Sequence, residues 1–282
     1  MPRSQAPASA SAAARRCSPS APSCPTDGDA SESWNGRRAL TNRRNMEKGT
    51  DMRKLGLIGG TGPESTIIYY REITDGVRRR LGRDRFPHLS IESLDVFEVL
   101  DFCKRDDHAG LVDYLARGIA DLASAGAEFA AFTGITPHVV FDEVARRSPI
   151  PIVSMLDMSL RYAADRHYGR VALLGTGPTM DGDFFQRPFR SHGIDVVTPD
   201  DEDRRYIAKA IETELEYGIV RPTTQKTLRD IAVRLAERRH AEAIVLGCTE
   251  LPLAFDGIDL PVDVMDVMRI HVDALIDRIV GE

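Results

Sequence analysis

Apolar residues recur along this chain in two rhythms. Short runs rich in β-branched and aromatic side chains occur at Lys54–Ile58, Leu89–Leu94, Phe129–Thr133, Ile152–Ser154, Arg170–Leu174, Ile194–Val197 and Ala243–Leu246. Runs of that length and composition predict buried strands. Between most of them lie longer stretches whose apolar residues return every three or four positions. Leu111, Leu115, Ile119 and Leu122 form one such stripe, and Leu228, Ile231 and Leu235 another. Strand–helix alternation predicts βαβ units and parallel sheets with helices on both faces, an α/β fold. A closed βα-barrel is the competing architecture.

An internal echo favours the open form. KLGLIGGTGP (Lys54–Pro63) returns as RVALLGTGP (Arg170–Pro178), and AEFAAFTG (Ala127–Gly134) returns without a gap as AEAIVLGC (Ala241–Cys248). The separation from Gly59 to Gly134 is 75 positions, and from Gly175 to Cys248 it is 73. Two copies of one module in the same order predict two pseudo-symmetric, doubly wound domains with parallel sheets. The expected division is 54–160 plus 262–282 for the first domain and 161–261 for the second. A ligand site then belongs in the cleft where the carboxyl ends of their strands meet.

Residues 1–50 read differently. Their Ala, Ser and Pro content is too low in large apolar residues to build a core, so a disordered tail is expected. The tail has eight Arg/Lys against four Asp/Glu, leaving 29 against 39 for the rest, which is therefore strongly acidic. It reads either as a transit peptide or as an extension ahead of a natural start at Met46 or Met52. Overall the chain of 282 residues carries a net charge of −6 and shows no basic stripe, which speaks against nucleic-acid partners. No apolar run is long enough to span a membrane. Four cysteines without a CxxC pair suit a reducing compartment, so a cytoplasmic location is expected. Seven histidines lack metal-ligand spacing, and no metal is expected.

The glycine loops exclude some chemistry. Gly60-Thr61-Gly62-Pro63-Glu64-Ser65 departs from the dinucleotide fingerprint at Ser65, and no P-loop lysine follows. The loop suits either a tight turn or backbone binding of a carboxylate. Cys248 ends a β-rich run just ahead of Thr249-Glu250-Leu251-Pro252. A thiol beside a helix start is expected to have a lowered pKa and thiolate character. The repeat register sets Gly134 opposite it.

These segments resemble the aspartate/glutamate racemase superfamily. LGLIGGTGPEST (Leu55–Thr66) is similar to its opening strand and loop, ITPHVVFDEV (Ile135–Val144) to its first catalytic segment and LGCTEL (Leu246–Leu251) to its second. Asp266–His271 is similar to its closing segment. The resemblance implies a cofactor-independent amino-acid racemase that acts on a small-molecule amino acid and forms a homodimer. In that family two cysteines flank the α-carbon. The second carries over onto Cys248, whereas the first falls on Gly134 and its usual following asparagine on Ile135; Thr136 and His138 match. Three readings therefore stand. The chain is a racemase whose second proton comes from water, His138 or Thr133. Alternatively it is a single-cysteine decarboxylase or isomerase, as in arylmalonate decarboxylase, a more distant relative with glycine at that place. The third reading is a non-catalytic amino-acid-binding protein.

Around the thiol, Thr61, Thr136 and Thr249 are candidate donors to a substrate carboxylate, or else helix caps. Ser93 and Asp95 resemble a second substrate loop, with Asp95 either binding an α-ammonium or capping a helix. Arg221 is the candidate cation for a side-chain carboxylate. His271 reads as a packing residue. No cofactor is implied, since a pyridoxal enzyme needs a Schiff-base lysine that no strand-end loop offers.

Overall fold

The computed structural model describes residues 52–282; the tail assigned to residues 1–50 lies outside them. The chain runs β1 (Leu55–Gly59), α1 (Pro63–Leu81), β2 (Leu89–Ser93), α2 (Val96–Lys104), α3 (His108–Ser124), β3 (Phe129–Phe132), α4 (Phe141–Arg147), β4 (Ile152–Val153) and α5 (Met155–Asp165). A second passage follows with β5 (Arg170–Gly175), α6 (Gly177–Asp181), α7 (Gln186–Ser191), β6 (Asp195–Val197), α8 (Asp201–Thr213), α9 (Pro222–Arg239), β7 (Ala243–Gly247), α10 (Leu251–Phe255), β8 (Asp263–Asp266) and α11 (Val267–Val280).

The strands form two four-stranded parallel sheets, ordered β2-β1-β3-β4 and β6-β5-β7-β8. The identical order bears out the α/β fold with two open sheets read from the echo. In each half the two echoed strands are the inner pair, β1 with β3 and β5 with β7. Seven strands lie where the apolar runs predict them. The eighth, β8, was not predicted: it is an edge strand whose only buried residue is Met265, so it leaves no apolar run to read.

Side chains alternate across each sheet and so divide the core into three layers. Leu55, Leu57, Val171 and Leu173 point to a central layer built with α1, α5 and α11. Ile58, Ala130 and Phe132 point outward onto α3, where the Leu111–Leu115–Ile119–Leu122 stripe is buried. Ala172, Leu174, Ile244 and Leu246 point the other way, onto α8 and α9. The expected division at residue 262 is crossed by this arrangement. β8 is hydrogen-bonded to β7 in the second sheet, while α11 packs in the central layer against α1 and α5. Residues 262–282 thus split between the two halves.

Candidate active site

The carboxyl ends of β1, β3 and β7 carry the site. After β1 the chain turns at Gly60, with φ of +79°, and a Cβ there would lie 2.1 Å from the Leu94 carbonyl oxygen. Only glycine fits such a place. The turn is fixed further by Thr66: its hydroxyl accepts from the Gly60 amide at 3.0 Å and approaches the Gly62 carbonyl at 3.1 Å. This loop carries Thr61 and leads into Ser65 on the first turn of α1. Ser65 is buried, and its hydroxyl lies 2.7 Å from that of Thr249, 184 positions along the chain. Thr249 spends its own hydrogen on Glu250 Oε2 at 2.8 Å, so Ser65 is the donor between the halves. The two strand-end loops therefore meet, as a shared cleft requires.

Cys248 leaves β7 with 9% of its surface exposed and packs among Leu246, Leu251 and Phe255. Its thiol donates to Glu250 Oε2 at 2.9 Å. Burial, the Glu250 charge and hydrogen bond, and the Glu216 carboxylate beyond it together hold the thiol well above its ordinary pKa, although the Glu250 amide pulls the other way. The expected thiolate is corrected here. The following helix α10 has only five residues, and a carboxylate at hydrogen-bond distance outweighs its amides. Burial and the neighbouring carboxylates thus oppose ionisation of Cys248 in this arrangement. Glu250→Gln removes one charge that opposes ionisation. The pH at which iodoacetamide alkylates Cys248, followed by peptide mapping, is then expected to move downward from that of the wild type. An unchanged profile would leave burial and the Glu216 carboxylate as the causes.

Other residues named from sequence are placed less favourably for chemistry. Thr133 is fully buried, and its hydroxyl is engaged with the Ile58 carbonyl and the Thr66 hydroxyl, both at 3.2 Å. His138 is buried with both ring nitrogens occupied: Nε2 accepts from the Met155 amide at 3.1 Å, which leaves Nδ1–H to donate to the Ile135 carbonyl at 3.2 Å. Burial pushes its pKa down to about 4 against the backbone bonds to Ile135 and Gly134, and its ring stacks on Phe141. It fixes the loop after β3 as a neutral ring, which removes the reason to read it as a proton donor near neutral pH. His271 is likewise buried and neutral, bridging the Tyr69 hydroxyl and the Val153 carbonyl.

Asp95 caps α2, accepting from the Phe97 amide at 2.8 Å, and Ser93 ends β2 beside Gly60. Thr136 opens a 3-10 turn, Thr136–Val140. Arg221 caps α9 at the surface and is ion-paired with Glu214 at 2.7 Å, so its charge is already committed. Gly134 stands at the end of β3 against Thr61, whose hydroxyl is buried and has no hydrogen-bond partner. Glu250 and Ser65 were missed as functional groups. A carboxylate two positions after the thiol is a readable signal for Glu250, whereas the partner of Ser65 appears only on folding. A cavity of about 180 Å³ is walled in part by Thr249, whereas one of about 520 Å³ lies against His138, Phe141 and Arg187; Cys248 lines neither. Among the described residues no cluster of side chains could hold a metal ion, and no helix is long and apolar enough to cross a membrane.

Residues 58–275 match the model of the Asp/Glu/hydantoin racemase family. The broad specificity amino-acid racemase RacX of Bacillus subtilis is 23% identical over 217 residues, 75% of this chain and 92% of RacX. The crystal structure of an aspartate racemase homologue from Pyrococcus horikoshii superposes with a TM-score of 0.74 at 35% identity, covering 82% of this chain and all of that one. The Picrophilus torridus aspartate racemase shares the fold at 21% identity, with a TM-score of 0.65 over 81% of this chain and 94% of its own.

Proposed function

The chain belongs to the Asp/Glu/hydantoin racemase family, and from that premise we propose that it is a cofactor-independent amino-acid racemase in which Cys248 and Glu250 share the proton taken from the α-carbon. The observation that carries this reading is the 2.9 Å thiol–carboxylate contact at the end of β7. Glu250 accepts the thiol proton, and the thiolate takes the α-proton. The C–H electron pair moves into the bond to the carboxylate, giving an enediolate. Reprotonation on the opposite face inverts the centre. Strand-end amides are the donors expected to meet the charge that develops on the substrate carboxylate, since the Thr249 hydrogen is already given to Glu250. A buried free thiol suits a reducing, cytoplasmic setting.

The charges acting on Cys248 are both carboxylates. Glu216 itself is held above its ordinary pKa by partial desolvation, then by Glu250 and Glu212. A substrate carboxylate brought within about 8 Å of such a group costs on the order of 2 kcal/mol at an effective dielectric of about 20, a preference of roughly 30-fold. Neutral and basic amino acids are therefore expected to be racemised faster than aspartate or glutamate, in line with the broad specificity in the name of RacX.

The deciding experiment is proton NMR of L- and D-amino acids, with an arylmalonate, in deuterium oxide. Loss of the α-proton signal with appearance of the other enantiomer supports a racemase, and its ranking over the panel tests the charge argument. A resting thiol that is protonated also suits delivery of a proton to the enediolate left by loss of carbon dioxide. Turnover of the arylmalonate alone would select that second reading, and binding without exchange would select a binding protein.

A further inference from the structure

We propose that the Thr61 hydroxyl serves the face of the substrate opposite Cys248, in the space that a side chain at position 134 would occupy. The inference rests on the reading of Cys248 as the acid–base group of the first face. A Cβ built on Gly134 would lie 2.7 Å from Thr61 Oγ1 and 3.4 Å from the Thr61 carbonyl oxygen. The first distance is well inside van der Waals contact, so a residue-134 side chain would displace the hydroxyl from its present place. The register of the internal repeat sets Gly134 against Cys248, and the hydroxyl delivered from the β1–α1 loop thus stands where a group on that face belongs.

The state of that hydroxyl supports a role toward a ligand. It is buried and makes no hydrogen bond. Leaving a buried hydroxyl unpaired costs about 1–3 kcal/mol, and such groups in a folded protein require a reason. Other strand-end hydroxyls are paired: Ser65 with Thr249, Thr66 with Thr133, and Thr176 with Thr179 at 3.0 Å. Helix capping does not account for Thr61, because the side-chain cap of α1 is unused and the cap position is Gly62. The turn at Gly60 and the Thr66 hydrogen bonds hold the loop in place. The hydroxyl is therefore pre-positioned and waits for a partner that the protein itself does not supply.

Its part in the reaction balances as a relay. Thr61 gives its hydroxyl proton to the α-carbon of the enediolate while its oxygen takes a proton from water. The hydroxide left behind is neutralised by the proton parked on Glu250. Run backwards, the same steps remove the α-proton of the other enantiomer.

The test separates exchange from inversion. For the enantiomer whose α-proton faces Cys248, exchange with deuterium oxide needs the thiol alone, whereas inversion needs the opposite face as well. Thr61→Val keeps the side-chain shape without the hydroxyl. It is expected to retain α-deuteration while inversion falls roughly tenfold or more relative to exchange, with no loss of melting temperature because an unpaired polar group has been removed. Thr61→Ser is expected to recover inversion. An unchanged inversion-to-exchange ratio in Thr61→Val would overturn the proposal, as would failure of Thr61→Ser to recover it. Cys248→Ser reports separately: loss of exchange there supports the reading underneath, and survival of exchange removes that reading whatever Thr61 does.

Discussion

Cys248→Ser is expected to lower α-proton exchange by about 10²–10⁴-fold while the protein remains folded. The range follows from the worth of a positioned acid–base group, and the low residual rate from the hydroxyl that replaces it. A serine hydroxyl reaches Glu250 as the thiol does, but it ionises far less readily than a thiol even with a carboxylate beside it. The fold survives because the substitution changes little volume. The site is a strand end packed on Leu251 and Phe255, and the new hydroxyl keeps its acceptor. A cost of about 1–2 kcal/mol for placing a more polar group in that buried position is tolerable against a typical stability of about 5–15 kcal/mol. The measurement is the decay of the α-proton NMR signal in deuterium oxide, paired with a thermal melt. Exchange within about threefold of wild type, in a protein that melts normally, would rule out the thiol mechanism.

Acid should unfold this protein through its two buried histidines. Burial drives His138 down to about 4, and burial with the nearby His138 drives His271 down to about 3. In the unfolded chain both titrate near 6.5. As pH falls below that value the unfolded state takes up protons that the folded state refuses. The contribution to stability is therefore whole above about 6.5 and is lost as pH falls toward the folded values. Each group removes at most about 1.4 kcal/mol per pH unit over that window, so the pair removes several kcal/mol by about pH 4.5. Asp157 and Asp266 act in the opposite sense: burial raises both, so protonation favours the folded state, and they begin to offset the loss only nearer the carboxylate range. Urea unfolding at pH 7.5, 6.5, 5.5 and 4.5 should show midpoints that fall steeply below 6.5. A flat profile between 6.5 and 5 would mean that these rings are not buried neutral.

That acid sensitivity and the chemistry share a cause. His138 holds the loop after β3 by accepting the Met155 amide, and it can do so only while Nε2 is unprotonated. The ring that fixes the Gly134 turn is thus unsuited to carry protons near neutral pH. Thr133 gives up the same role for a similar reason, its hydroxyl being committed to Ile58 and Thr66.

Much of the architecture was legible beforehand because burial on both faces writes continuous apolar runs. β1, β3, β5 and β7 are buried at nearly every position, and their repeat announced two parallel sheets built alike. β8 escaped because an edge strand with one buried side chain carries no such run. Arg221 shows the limit for surface charges: its charge was legible, but its partner Glu214 was fixed only by the turn between α8 and α9.

The sequence by itself determined the two open sheets, the pairing of modules and the place of one thiol, since these depend on periodicity and on residue identity at strand ends. Tertiary structure alone decided the carboxylate surroundings of that thiol, the junction of Ser65 with Thr249, and the engagement of Thr133 and His138 in hydrogen bonds of their own. Each of those depends on which groups are desolvated together and which hydrogen bonds are already taken. Such quantities arise from residues far apart in the chain being brought within a few ångströms, and no local pattern records them.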